Sequence, residues 1–167
     1  NKLEGLKPYA NFFRWQGGEI FLKRGLFDYL VEFDKSCHPN LRRCIITNGS
    51  ILDEKRLRAL CEGDRPANFL VSIDGVSEET YNHIRKRGHY KKAMATLKIL
   101  SDIQKERGVR DLVKWNYVVM RSNLGEMKDA IDMAEDLGVD INFAPIQGGD
   151  PEEDIYRCPE IRGEAQP

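Results

Sequence analysis

One short segment of the sequence could bind a small charged group. Gly17-Gly18-Glu19 joins two glycines, which let a ligand approach the backbone closely, to one carboxylate. Such a turn suits an ammonium group, because backbone carbonyls can accept its protons and Glu19 can balance its charge. The alternative is an ordinary tight turn after a strand with a solvated Glu19, and the segment alone leaves both open.

A second segment, Ser72-Ile73-Asp74-Gly75, places a hydroxyl and a carboxylate two residues apart. In an extended chain the two side chains lie on the same side, so they could hold a ribose or another polar group together. The alternative is that Asp74 and Ser77 cap the next helix.

Arg85 is a further candidate. It could bind a carboxylate with two hydrogen bonds, or it could belong to a solvated basic patch at a helix C-terminus.

Five β-rich runs alternate with helical runs and would position these residues. The predicted strands are 10–15, 43–47, 68–74, 112–120 and 140–146. The apolar spacing predicts helices from 26 to near 36, from 54 to before 63, over 77–84 and over 90–107, and after a capping box formed by Asn123 and Glu126. Repeated βα units imply parallel strands, in an open doubly wound sheet or in part of a barrel.

Both architectures bind ligands at the carboxyl ends of their strands. The two segments above lie at such ends. We therefore expect the functional site among the residues that follow the five strands: 16–19, 47–49, 72–75, 120–123 and 145–148.

Composition limits the class of protein. The chain has 167 residues, of which 41% are hydrophobic and 32% charged, as in soluble globular domains. A formal net charge of −1 gives no overall field for nucleic acid or an acidic membrane, and no apolar run approaches the roughly 20 residues of a membrane helix. We expect neither partner.

The cysteines and histidines show no metal-binding spacing. Cys37, Cys44, Cys61 and Cys158 include no Cys-x-x-Cys pair. This pattern is typical of ordinary thiols in a reducing environment and predicts a cytoplasmic location and no metal ligands.

Taken together, these segments resemble radical S-adenosylmethionine (SAM) enzymes, especially the branch with a C-terminal SPASM or related auxiliary-cluster domain. Residues 13–19 resemble the family's second strand and its Gly-Gly-Glu motif, although Ile20 stands where Pro is usual. Residues 47–49 resemble the Thr-Asn-Gly of the third strand, 72–85 are the most specific part, and 118–123 resemble the fifth strand and the cap after it. The implied fold is a partial TIM-like (βα) barrel of about five parallel strands with helices on its outer face.

The resemblance implies a role for each matching residue. Gly18 and Glu19, with Gly17 in the same turn, would bind the methionine ammonium of SAM. Ser72 and Arg85 would hold its carboxylate, Asp74 would lie near the ribose, Asn48 would form the pocket floor, and Val119 and the backbone of 143–145 would flank the adenine.

The resemblance also implies a cofactor and a reaction. In the family, three cysteines of a Cys-x-x-x-Cys-x-x-Cys loop hold a [4Fe-4S] cluster, which takes electrons from an external donor and reduces SAM. The resulting 5'-deoxyadenosyl radical abstracts a hydrogen atom from the substrate, here a peptide or protein if the SPASM likeness holds. Such an enzyme is an Fe-S oxidoreductase.

No Cys-x-x-x-Cys-x-x-Cys loop occurs in this chain. We therefore expect residues 1–147 to be a fragment of a radical SAM core domain without its first strand and cluster loop, and 148–167 to be a linker leaving it. Cys158 is a candidate ligand of an auxiliary cluster, and the chain alone should not cleave SAM. The missing strand would leave 11–15 as an edge that is covered by an exchanged or neighbouring chain, for instance in a dimer, or that is poorly ordered.

Two other interpretations remain open. The chain could be a non-catalytic binding or scaffold domain of the same fold that has lost its cluster, or an unrelated βα-barrel fragment that uses a metal or a phosphate.

Overall fold

The computed structural model describes residue 5 and residues 9–35, 41–63, 66–86 and 88–157. It contains one sheet of five parallel strands in the order β1-β2-β3-β4-β5, and the sheet is not closed into a barrel. The predicted α/β fold is therefore confirmed. The strands are β1 (Phe12–Trp15), β2 (Arg42–Thr47), β3 (Asn68–Ser72), β4 (Val113–Val119) and β5 (Asp140–Pro145).

Helices connect successive strands, as the sequence pattern predicts. They are α1 (Leu26–Lys35), α2 (Glu54–Leu60), α3 (Glu78–Ile84), α4 (Tyr90–Arg107) and α5 (Met127–Leu137), with 3-10 turns at Ile20–Leu22 and Arg121–Glu126. The predicted caps form: Asp53 accepts a hydrogen bond from Arg56 N at 2.9 Å, and Ser77 accepts one from Thr80 N at 3.1 Å. None of the described helices is long and apolar enough to cross a bilayer.

The start of α5 differs from the prediction. A 3-10 turn follows β4, so α5 begins at Met127 and Asn123 does not cap it. Instead, Asn123 is fully buried, and its Oδ1 accepts a hydrogen bond from Met120 N at 2.8 Å. On α5 itself, Ala130 and Ala134 are buried, whereas Ile131 is 39% exposed.

The two faces of the sheet have different surroundings. One face carries Phe69, Val71, Trp115 and Tyr117, which pack in one core cluster with buried residues of the helices, including Leu57, Leu97, Leu100 and Ala134. The alternate residues of β4, such as Asn116 and Val118, are only half-buried. We call their side of the sheet the open face.

The described part of β1 pairs with one neighbour, β2. That this edge is covered by another chain stays a prediction. So does the domain boundary at residue 147, although Glu153 O accepts a hydrogen bond from Arg121 N at 3.1 Å and Ile155 packs against the core. The first part of the expected linker therefore contacts the domain.

Candidate ligand site at the carboxyl ends of the strands

Glu19 joins the ends of β1 and β2. Its Oε2 accepts hydrogen bonds from Thr47 Oγ1 and from Asn48 N, both at 2.8 Å, and its Oε1 accepts one from Phe21 N at 3.1 Å. The carboxylate is thus fixed by three donors from two loops, which argues against a freely solvated side chain. Oε1 accepts only one of these hydrogen bonds, so it can accept a further one from a ligand.

The two glycines before Glu19 leave their backbone accessible. A Cβ atom at Gly17 or Gly18 would meet nothing within 4 Å, and both residues are exposed. Gly17 also has a φ of 139°, which side-chain-bearing residues rarely adopt. The turn therefore offers open backbone beside a fixed carboxylate.

The turn after β2 is tightly packed. Gly49 has a φ of 71°, and a Cβ there would lie 3.1 Å from Ala93 Cα and 3.2 Å from Val71 Cγ1. Asn48 turns its side chain to its own loop, where Oδ1 accepts hydrogen bonds from Ser50 N at 2.9 Å and Ser50 Oγ at 2.6 Å. Its place on a pocket floor stays a prediction.

A polar row crosses the open face at the level of Ser72. Ser72 pairs in register with Asn116, and Asn116 with Asn142. Asn142 Nδ2 donates to Asn116 Oδ1 at 2.8 Å, and Asn116 Nδ2 lies 3.5 Å from Ser72 Oγ. Because Asn116 approaches as a donor, the Ser72 hydroxyl keeps its own proton for a ligand.

Asp74 and Arg85 form an ion pair just beyond β3. Arg85 Nε and Nη2 both lie 2.7 Å from Asp74 Oδ2, and Val118 N donates to Asp74 Oδ1 at 2.9 Å. The Asp74 side chain is 5% exposed and that of Arg85 is 31% exposed. Asp74 thereby ties the loop after β3 both to Arg85 and to β4.

These contacts bring Glu19, Ser72 and Arg85 to the same end of the sheet. Glu19 accepts hydrogen bonds at the end of β2, and Ser72 is the last residue of β3. Arg85 pairs with Asp74, which follows Ser72 by two residues. Arg85 and Ser72 at opposite ends of the sheet would have excluded a shared pocket, and the structure does not have that arrangement. Glu19 contacts Thr47 Oγ1, and Thr47 pairs in register with Val71 of the core face, so the place of Glu19 in a shared pocket stays a prediction.

Val119 lies differently from the other candidate residues. Its side chain is 5% exposed and belongs to the core cluster under the helices, because alternation along β4 turns Val118 to the open face instead. Its backbone, paired with Pro145, still lies at the carboxyl end.

Sequence reasoning missed the part played by Asn123 and Glu126. Asn123 Nδ2 donates to Asp74 O at 3.2 Å and to Val118 O at 2.9 Å. Glu126 accepts hydrogen bonds from Val76 N at 2.8 Å, Thr80 Oγ1 at 2.6 Å and Ser77 Oγ at 3.1 Å. The spacing of Asn123 and Glu126 was the one sign in the sequence that these residues matter. That spacing predicts a local helix cap, however, and gives no indication of partners about fifty residues away.

Tyr117, whose side chain lies in the core, is hydrogen-bonded to Asn123. Its hydroxyl donates to Asn123 O at 2.9 Å. Burial, and then the negative charges of Glu126 and Asp74, raise the pKa of Tyr117 well above its usual range. The phenol therefore stays protonated and serves as a donor.

No site for a metal is present among the described residues. They contain no group of three His, Cys, Asp or Glu side chains that could hold an ion. Cys44 and Cys61 are buried free thiols, and burial raises the pKa of Cys44 against the opposing effect of Arg14. The described side chains therefore do not fit an iron-sulfur cluster. Cys158 lies outside the described residues.

Comparison with known proteins identifies related chains. The antilisterial bacteriocin subtilosin biosynthesis protein AlbA of Bacillus subtilis (strain 168) is 27% identical over 123 residues, which are 73% of this chain and 25% of AlbA. Among solved structures, Streptococcus suis SuiB bound to S-adenosylmethionine matches with a TM-score of 0.73 and 11% identity, over 98% of this chain and 36% of SuiB. Native anSMEcpe with bound AdoMet and Kp18Cys peptide matches with a TM-score of 0.61 and 21% identity, over 84% of this chain and 38% of that one.

The structural likenesses show the fold, and the chain spans a quarter of AlbA. A family model also matches most of the chain: that of the radical SAM superfamily covers residues 2–134. This excludes an unrelated βα-barrel fragment. The chain belongs to the radical SAM superfamily.

Proposed function

We propose that this chain forms the SAM-binding part of a radical SAM enzyme. The observation that carries the proposal is the placement of one fixed carboxylate, Glu19, and one guanidinium, Arg85, at neighbouring strand ends of the same sheet. The methionine part of SAM carries an ammonium and a carboxylate, and each would meet an opposite charge there.

Each group in this pocket has a specific task. Glu19 and the open backbone of Gly17 and Gly18 bind the ammonium. Ser72 donates its hydroxyl proton to the carboxylate, and Arg85 contacts the same carboxylate.

The remaining candidates would lie on the nucleoside side of the pocket. Asn48 would form part of the floor, and Asp74 would lie near the ribose. The backbone of Val119 and of 143–145 would flank the adenine, with Val118 as the nearer side chain on the open face.

The bound cofactor would supply the difficult chemistry. A [4Fe-4S] cluster, with ligands outside this chain and an external electron donor, would cleave SAM reductively to a 5'-deoxyadenosyl radical that takes a hydrogen atom from the substrate. This chain's residues bind and orient SAM for that step. Without cluster ligands among the described residues, the chain alone should be inactive.

A peptide or protein is the substrate class that we propose. Two observations support it: AlbA is named for the biosynthesis of a bacteriocin, and solved structures of anSMEcpe contain bound peptides. The buried free thiols of Cys44 and Cys61 fit a cytoplasmic location, and the β1 edge could pair with a second chain.

The alternative is a scaffold domain of the same fold that binds no cluster, which the lack of a ligand group among the described residues would fit. Anaerobic reconstitution of the intact protein with iron and sulfide distinguishes the two. The enzyme should bind about four irons per chain in this cluster and release 5'-deoxyadenosine from SAM when a reductant is added. Iron-free protein that leaves SAM intact would contradict the enzyme proposal.

A further inference from the structure

We propose that Asp74 is a positioning residue that aims Arg85 at the carboxylate of SAM, and that it is not a ribose ligand. The inference rests on the proposed function, since it concerns how the SAM site is built. It starts from the way in which the Asp74 carboxylate is already occupied.

Asp74 has little capacity left for a ligand. Its Oδ2 accepts a hydrogen bond from Arg85 Nε and has Nη2 at the same distance of 2.7 Å in the ion pair, and its Oδ1 accepts a hydrogen bond from Val118 N, so both oxygens are engaged. The side chain is also 5% exposed. Two ribose hydroxyls would therefore compete with Arg85 and Val118 for a carboxylate that is almost closed to solvent.

The ion pair leaves the other edge of Arg85 available. Asp74 uses the edge formed by Nε and Nη2. Among the described residues no hydrogen bond is made by Nη1, so none of them occupies the edge formed by Nη1 and Nη2. That edge has the geometry for two parallel hydrogen bonds to a second carboxylate. Held in this way, Arg85 loses less conformational freedom when SAM binds.

Asp74 is in turn held by the loop after β4. Asn123 contacts its carbonyl, and Glu126 bonds to Val76 and Ser77 in the loop that carries it and to Thr80 in α3. Asn123 is fully buried, and both oxygens of Glu126 are engaged. Neither residue needs to touch SAM, yet both fix the position from which Asp74 holds Arg85.

Two ligands separate positioning from ribose binding. SAM carries the carboxylate, whereas decarboxylated SAM lacks it and keeps the ammonium, ribose and adenine. The dissociation constants of both are measured by equilibrium dialysis with the intact, reconstituted protein and its variants Asp74→Asn, Arg85→Ala and the double variant. Asp140→Asn is the control, because Asp140 is an exposed acid at the other end of the sheet.

The positioning role predicts that Asp74→Asn weakens SAM binding about ten-fold and changes binding of decarboxylated SAM less than about two-fold. In the Arg85→Ala background the same substitution should add almost nothing, because the two residues act as a unit. Glu126→Gln is a milder change that serves if Asp74→Asn does not fold. It should weaken SAM binding about two- to five-fold and again change binding of decarboxylated SAM much less.

Three results would overturn the inference. An equal loss for both ligands would make Asp74 a ribose ligand. Tighter SAM binding would mean that Asp74 competes with SAM for Arg85. If Arg85→Ala itself leaves SAM binding unchanged, the proposed site fails and the inference fails with it, which the single Arg85 variant reveals separately.

Discussion

The two ends of the sheet use the same residue types in different ways. At the amino end, Lys114 pairs with Asp111 and with Asp140, both at 3.0 Å, and the three side chains are 39%, 60% and 66% exposed. At the carboxyl end, Asp74 pairs with Arg85 at 2.7 Å with its side chain 5% exposed. Ion pairs in solvent contribute little to stability, whereas buried ones fix geometry. The carboxyl end is therefore the part of the molecule in which side-chain positions are specified.

Asparagines at the two ends should differ most in how much they contribute to the free energy of unfolding. Asn123→Ala removes the partners of three backbone groups, those of Asp74, Val118 and Met120. We expect a loss of about 3–4 kcal/mol in the free energy of unfolding, since each buried group left unpaired costs about 1–3 kcal/mol. Urea unfolding measures this loss.

The matched variant is Asn68→Ala at the amino end, where an exposed Asn68 donates to Asp111 O. Water can replace that bond, so the loss should stay below about 1 kcal/mol. Similar losses at both ends would contradict the contrast.

Two glycines extend the comparison to the backbone. Gly49→Ala should destabilise the fold by about 2–3 kcal/mol, because it combines a positive φ with contacts of 3.1–3.2 Å to Ala93, Val71 and Thr96. Gly63 lies between α2 and β3 with a φ of 88° and nothing within 4 Å of a Cβ. Gly63→Ala should therefore cost about 1 kcal/mol, from backbone strain alone. Equal thermal shifts for the two variants would show that packing at Gly49 is unimportant.

The smallest effect concerns the exposed pair at the amino end. The hydrogen bond and charge of Lys114 lower the pKa of Asp111. A lowered carboxyl pKa stabilises the fold above the ordinary pKa, and that contribution is lost as the pH falls through the lowered value.

Asp111→Asn removes this charge and keeps a residue that tolerates the φ of 61° at this position. The stability of the variant should differ from that of the original protein by less than about 1 kcal/mol near neutral pH, and the difference should vanish in acid. Unfolding curves across this pH range measure it. A stability difference between the variant and the original protein that grows as the pH falls would contradict this prediction.

Local patterns predicted the elements well and the side-chain network poorly. Helix α4 has the predicted bounds because its apolar spacing and Gly108, which has a φ of 61°, are both local signals. The parallel sheet followed from the repeated βα units, and the place of Glu19 and Ser72 at strand ends followed from the sheet.

The features that sequence patterns did not predict depend on contacts between distant residues. Asn123 has the spacing of a helix cap, yet its partners include Asp74, which is 49 positions away. Nor does sequence show that Asp74 and Arg85 face each other or that Thr47 donates to Glu19, 28 positions away. The alternation of β4 was visible, but which side of it meets the helices is decided by packing, and this set Val118 and not Val119 on the open face.

The central claim is that the carboxyl end of the sheet binds the charged groups of SAM, and two arginines test it most directly. The dissociation constant of SAM is measured for the intact, reconstituted protein with Arg85→Ala and, as the matched control, with Arg58→Ala, whose guanidinium pairs with Glu54 and Glu106 on the helical surface. A charge-assisted contact is worth about 1.5–3 kcal/mol, so Arg85→Ala should raise the dissociation constant about ten-fold or more, with unchanged iron content. Arg58→Ala should leave it unchanged. Equal affinities in both variants and the original protein would contradict the account.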